Sequence, residues 1–300
     1  MIVARGLTKR YGAVTAVDGL SFTVHPGVVT GFLGPNGAGK STTMRLMLGL
    51  DRGAGRTEFD GRGYGELAHP ARAVGVLLDA RAVHPGRTAR AHLRMIAAGA
   101  GLPASRVDQA LDRVGLLDVA DRRAGGFSLG MSQRLGLAGA LLGDPQALML
   151  DEPANGLDPE GVRWLRDLLK ALAAEGRTVF VSSHLLNEMA VLADALVVIG
   201  QGRLVAAEST DAFVARNSRP EVLVRPADPG MLADLLGRAG FAVTPHPDGA
   251  LVVATHDTDA IATIAMRAGI VLRELTVRHS SLEDAFFTAT AGAAQYRGRA

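Results

Sequence analysis

Three hundred residues, 48% of them hydrophobic, are enough for a large buried core and for two domains. The 32 Lys and Arg residues stand against 30 Asp and Glu, and a formal net charge of +2 is too small to mark a nucleic-acid partner. With no cysteine in the chain, disulfides and thiolate metal sites are excluded.

Residues 2–7, 20–24 and 28–33 read as strands, with His25-Pro26-Gly27 as the turn between the last two. Residues 1–11 carry Arg5, Lys9 and Arg10 without the apolar run of a signal peptide, so a cytoplasmic location is expected. Tyr11 lies between the first two strands. It is either an ordinary half-buried edge tyrosine or a ring on which a nucleotide base can stack.

Residues 34–41 read Gly-Pro-Asn-Gly-Ala-Gly-Lys-Ser, between an apolar strand and a helix in which Met44, Met47 and Leu48 recur at helical spacing. This strand–loop–helix context is that of a P-loop. Gly34, Gly37 and Gly39 let the backbone curl until successive N–H groups converge on an anion at a helix N-terminus, with Pro35, Asn36 and Ala38 completing the loop. Lys40 can reach β- and γ-phosphate oxygens, Ser41 offers a hydroxyl to Mg²⁺, and Thr42 and the backbone hold the α-phosphate side. Lysine occurs otherwise only at Lys9 and Lys170, so a chain that prefers arginine still places a lysine where a P-loop needs one.

Strands follow at 56–59 and 73–78, and then the pattern changes. Leu93, Ile96 and Ala97, then Val107, Leu111 and Val114, predict amphipathic helices within residues 88–117, broken at Gly101-Leu102-Pro103. With a further helix over 128–142, a helical insert spans about residues 80–143. The most apolar stretch, 135–150, is interrupted by Asp144 and Pro145 and is shorter than the roughly 20 residues a membrane span needs.

A strand at 147–150 ends in Asp151 and Glu152. Alone, such a pair is a solvated acidic turn; at the ligand-binding edge of an α/β sheet, Asp151 faces Mg²⁺ through its waters and Glu152 faces an attacking water. Helix 159–174, strand 178–182, helix 185–192 and a strand pair at 195–199 and 203–207 follow. His184 falls at the same edge as Glu152, as a satisfied loop histidine or as a hydrogen-bonding partner of a γ-phosphate or its attacking water. A boundary near residues 217–220 separates domain 1–216 from domain 221–300. In the second, Asp228 and a helix ending Arg238-Ala239-Gly240-Phe241 recur as Asp257 and a helix ending Arg267-Ala268-Gly269-Ile270, which predicts two βαβ halves and a small α+β, ferredoxin-like βαββαβ domain.

Over residues 2–215 the ordered motifs resemble the ATP-binding-cassette family, specifically the ATP-binding subunits of drug- and antibiotic-resistance exporters. Tyr11 matches the adenine-stacking aromatic, residues 34–41 the Walker A loop, residues 148–152 the Walker B strand with Glu152 as general base, residues 155–158 the following loop with Asp158 among the nucleotide contacts, and His184 the switch histidine. Phe127-Ser128-Leu129-Gly130-Met131 stands where the family has LSGGQ; Ser128 and Gly130 match, and Leu129 replaces a glycine. Asp79 stands where a metal-binding glutamine is usual; a carboxylate still binds Mg²⁺ but adds negative charge. The resemblance implies an α/β P-loop NTPase fold with a helical insert. It implies ATP and Mg²⁺ bound between two copies of the chain, a separate integral-membrane permease contacting the insert near residues 79–94, and a location on the cytoplasmic face of the membrane, with no nucleic acid. A ribosome- or DNA-acting cassette ATPase is the rival, although tandem cassettes and long coiled coils are missing here, and a nucleotide-binding regulator with little turnover is a third reading.

Overall fold

The first two strands run further than their apolar pattern implied. β1 (Ile2–Tyr11) and β2 (Val14–Val24) form an antiparallel hairpin in which Tyr11 pairs with Val14. Tyr11 therefore ends a strand rather than lying in a connection. The alternation disappears over Lys9, Arg10 and Tyr11 because this end of the hairpin is solvated, which removes the signal that a half-buried strand carries. The structure is a computed structural model and describes residues 1–80, 82–218, 221–278 and 281–290.

β3 (Val29–Leu33) is buried at every position and leads through the glycine-rich loop into α1 (Lys40–Met47). β4 (Ala54–Phe59) returns to pair with β1, giving a three-stranded antiparallel sheet in the order β2-β1-β4. A turn of helix, α2 (Pro70–Ala73), enters β5 (Val74–Leu77). The insert is α3 (Ala89–Gly99), α4 (Ser105–Arg113) and α5 (Leu129–Leu141). Two side chains define its helix starts: Thr88 Oγ1 accepts the N–H of Ala91, and Ser128 Oγ accepts that of Met131, each satisfying a donor that a first turn leaves open.

β6 (Ala147–Leu150), α6 (Pro159–Ala174), β7 (Thr178–Ser182), α7 (Leu186–Leu192), β8 (Ala195–Gly200) and β9 (Arg203–Ser209) complete a six-stranded sheet in the order β5-β6-β7-β3-β8-β9. Every pair in it is parallel except β8–β9. Strands covered on both faces read as continuous apolar runs, and β6 and β7 are buried throughout. Phe22 of β2 joins the two sheets by packing on Phe32 of β3 and Phe180 of β7, with ring centroids 5.9 and 5.6 Å away and Phe32–Phe180 at 5.0 Å. Burying each of these rings contributes roughly 1.5–3 kcal/mol, and it fixes β3 two residues before Gly34.

The chain divides into two units, Met1–Asp211 together with Thr290, and Ala212–Ala289, so the division falls within α8 (Thr210–Asn217) rather than at the expected residue 216. Thr210 explains the difference: its hydroxyl donates to Ala193 O and its N–H to Asp194 O, so the helix starts as part of the first unit. Arg219 and Pro220, at the expected boundary, lie outside the described residues. The second unit contains β10 (Glu221–Pro226), α9 (Pro229–Arg238), β11 (Val243–Pro245), β12 (Leu251–Val253), α10 (Thr258–Arg267) and β13 (Leu272–Arg278), followed by α11 (Leu282–Thr290), which the sequence reading did not include. The order β11-β12-β10-β13, antiparallel throughout, is the βαββαβ arrangement expected from the duplication. Asp228 and Asp257, the repeated aspartates, cap α9 and α10 by accepting from Met231 and Ala260 N–H groups.

Candidate functional site

The C-terminal ends of β3, β6 and β7 meet at one edge, because Phe32 is in register with Ser182 and Leu150 with Val181. Parallel strands aligned in this way bring the glycine-rich loop, the Asp151-Glu152 pair and the Ser182–His184 segment together. A cleft of about 420 Å³ opens there, lined by Ala16, residues 35–42, Glu152, Asn155 and His184. The backbone is tight against it: Gly39 has φ +101°, and a Cβ at that position would lie 2.4 Å from Ala16 O, so only glycine fits.

Lys40 is buried, and its ammonium donates to Gly34 O at 2.6 Å. Burial holds its pKa below the usual lysine value, while the charges of Glu152 and Asp151 pull it upward. The ammonium therefore sits by the loop carbonyls of Gly34 and Pro35 and feels the charge of two carboxylates.

Glu152 is held from three directions. Its backbone takes φ +49°, uncommon for a residue other than glycine, and its N–H donates to the Ser182 hydroxyl at 2.9 Å. The same hydroxyl donates to Asp151 Oδ1 in a short contact. His184 Nδ1 stands 2.7 Å from Glu152 Oε2, which also accepts the His184 backbone N–H at 3.3 Å. Thus His184 contacts the carboxylate itself, a partner that the sequence did not single out for it.

The remaining expected residues are spread more widely. Ser41 lines the cleft, whereas Asp151 is outside its lining. Asp79 is exposed in the segment after β5 and is also outside it. Tyr11 is another residue outside the lining; its hydroxyl donates to Asp51 at 3.2 Å and Lys9 Nζ lies 4.8 Å from its ring centroid. Asp158 caps α6 by accepting the Gly161 N–H at 2.9 Å, so in this chain it has a helix-starting contact rather than a place in the cleft. Ser128 and Gly130 begin α5 on the insert and are not among the residues that line the cleft of their own chain.

Mg²⁺ is compatible with the donors present. Ser41 offers a hydroxyl and Asp151 a carboxylate, and no group of three or more His, Cys, Asp or Glu among the described residues forms a metal cluster. A hard cation with few protein ligands and the rest from phosphate and water suits such a set.

Ser182 is a site residue that sequence reasoning missed. Its signal was a serine ending an otherwise apolar buried strand. Ser182→Ala leaves the Glu152 N–H without its acceptor and frees Asp151, so we expect a stability loss of about 1–3 kcal/mol and an impaired site. Urea unfolding checks the first and steady-state turnover the second.

A family model described as "ABC transporter" matches residues 17–155. The chain is 36% identical to bacitracin transport ATP-binding protein BcrA of Bacillus licheniformis, over 95% of this chain and 96% of that one. It is also 35% identical to the uncharacterized ABC transporter ATP-binding protein YhcH of Bacillus subtilis, over 95% and 94%. The chain belongs to the ABC transporter ATP-binding family. A Nod factor export ATP-binding protein I, from Burkholderia lata, is 36% identical over 95% of both ABC chains. Among solved structures, an ATP-binding subunit of an ABC transporter has a TM-score of 0.66 at 25% identity, covering 72% of this chain and 92% of that one. A dimeric ATP-binding cassette in a post-hydrolysis state with ADP and Pi has a TM-score of 0.63 at 21% identity, covering 70% and 98%, and speaks for the ABC fold alone. Residues 220–283 match a domain of unknown function.

The ABC family makes the chain an ATP-binding subunit with ATPase activity, in keeping with the P-loop NTPase fold and helical insert that the motifs implied. No helix among the described residues is long and apolar enough to cross a membrane.

Proposed function

We propose that this chain is the ATP-hydrolysing subunit of an exporter, in which two copies bind two Mg-ATP head to tail and energise a separate integral-membrane permease at the cytoplasmic face. The observation that carries the reading is the Glu152–His184 pair at the mouth of the P-loop cleft. Lys40 and the loop N–H groups would hold the phosphates, and Ser41 and Asp151 would hold Mg²⁺. When bound, that ion supplies positive charge against the charge developing on the phosphate oxygens. Glu152 accepts the proton of the attacking water; His184 orients the Glu152 carboxylate. Tyr11 offers its ring to adenine, and Ser128 and Gly130 of the second copy complete the site at the N-terminus of α5.

The relatives named for bacitracin transport and Nod factor export, together with two named for lantibiotic transport, support export of antibiotic-like or other hydrophobic compounds as the work that hydrolysis drives. The permease is expected to contact the insert near residues 79–94, with the second unit as an accessory module.

The composite site has a direct test. The full-length Glu152→Gln chain, spun in an analytical ultracentrifuge, is expected to double its mass when Mg-ATP is added and to return to a monomer when ATP is removed. An unchanged mass at saturating Mg-ATP would count against the head-to-tail arrangement.

A further inference from the structure

Leu129 is one of three positions, with Phe127 and Met131, at which the signature-like segment differs from LSGGQ, and its side chain lies against its own chain. A Cβ built on Gly156 would stand 2.3 Å from Leu129 Cγ, 2.4 Å from its Cδ2 and 3.0 Å from its Cβ. The leucine thus occupies the space that any side chain at position 156 would need. Gly156 itself has φ +78°, and a Cβ on the neighbouring Gly130 would lie 2.9 Å from Gly156 O, so the first turn of α5 rests directly on the loop between Glu152 and α6. One turn further on, Gln133 is buried and donates from Nε2 to Glu152 O at 3.2 Å. Next to it, the Arg134 guanidinium lies 4.5 Å from the centroid of the Trp164 ring on α6.

Contacts from Leu129, Gly130, Gln133 and Arg134 therefore tie the first turns of α5 to the stretch from Glu152 into α6. We propose that Leu129 is a positioning residue: seated on Gly156, it makes the N-terminus of α5 and the loop following Glu152 move as one body, so that closure of the signature segment on nucleotide also sets the Glu152 carboxylate. Leu129 and Gly156 are a matched pair, the bulk on one side filling the gap on the other. A leucine at this position then is not an obstacle to turnover. The inference rests on the reading of Glu152 as the general base.

A double-mutant cycle on the full-length chain tests it, with kcat and KM for ATP measured for wild type, Leu129→Gly, Gly156→Ala and the double variant, and Glu152→Gln as control. Leu129→Gly is expected to lower kcat about threefold or more with little change in KM, Leu129→Met to keep kcat within about twofold, and Gly156→Ala to lower it about tenfold or more. Adding Leu129→Gly to Gly156→Ala is expected to recover part of that loss, because the space for the methyl is vacated. A Leu129→Gly chain that turns over as fast as wild type or faster overturns the proposal. So does a double variant no better than Gly156→Ala, since the loss would then belong to the positive φ alone. Heat unfolding of the same four proteins reads the contact without turnover: Gly156→Ala is expected to lower Tm more in the wild-type background than in the Leu129→Gly background, and equal shifts overturn the pairing. A wild-type chain with no Glu152-dependent hydrolysis would refute the functional reading separately, leaving the thermal cycle to decide the contact.

Discussion

Glu152→Gln is expected to bind Mg-ATP with near wild-type affinity and to lose steady-state hydrolysis by about 10²–10⁴-fold, the range a positioned general base contributes. The substitution preserves shape. The backbone N–H still donates to Ser182, and the side-chain carbonyl can still accept from the His184 backbone. What it removes is the capacity to take a proton from water, since a neutral amide has no basic oxygen at pH 7. Equilibrium binding of ATP and release of phosphate, measured on the same preparation, separate the two effects. Full turnover in this variant would remove Glu152 as the base and leave its contact with His184 a structural one.

Lys40→Ala is expected to weaken ATP binding by about ten- to more than a hundredfold, since a hydrogen bond to a charged group contributes about 1.5–3 kcal/mol and this ammonium can reach more than one phosphate oxygen. The loss belongs to the site rather than the fold. Burial holds the Lys40 pKa below its unfolded value of 10.5, so at pH values below both, the charged side chain costs the folded state stability. That cost falls as pH rises through the interval between the two values. At neutral pH, Lys40→Met should therefore unfold no earlier than wild type while showing the same loss of ATP affinity. Calorimetric titration with ATP, run beside thermal unfolding, checks both halves; unchanged affinity would count against the P-loop assignment.

The glycine-rich loop between β3 and α1 was legible because its determinants are local. Gly34, Gly37, Gly39, Lys40 and Ser41 lie within eight residues, and the buried strand before them and the helix after them each carry their own period. The duplicated βαβ halves of the second unit were legible for the same reason: each helix begins at its own capping aspartate and ends at its own glycine. Hairpin β1–β2 was read short because its far end, at Arg10, Tyr11 and Val14, is exposed and Val17 is the one buried apolar side chain between Val14 and Gly19, and the separation into a three-stranded and a six-stranded sheet leaves no local mark at all.

Motif order was enough to bring Asp151, Glu152 and His184 to one sheet edge. Only register decided their contacts. Ser182 bonds to both members of the acidic pair, and His184 reaches the Glu152 carboxylate, because β6 and β7 align Leu150 with Val181 across residues some thirty apart in the chain. Likewise, the sequence shows that Leu129 stands where its family has glycine, but the direction of its side chain depends on the bare backbone face of Gly156, brought beneath it by the packing of α5 on the loop before α6. Chemistry carried by consecutive residues is written in the sequence; chemistry shared between distant ones waits on the close packing that sets which atoms touch.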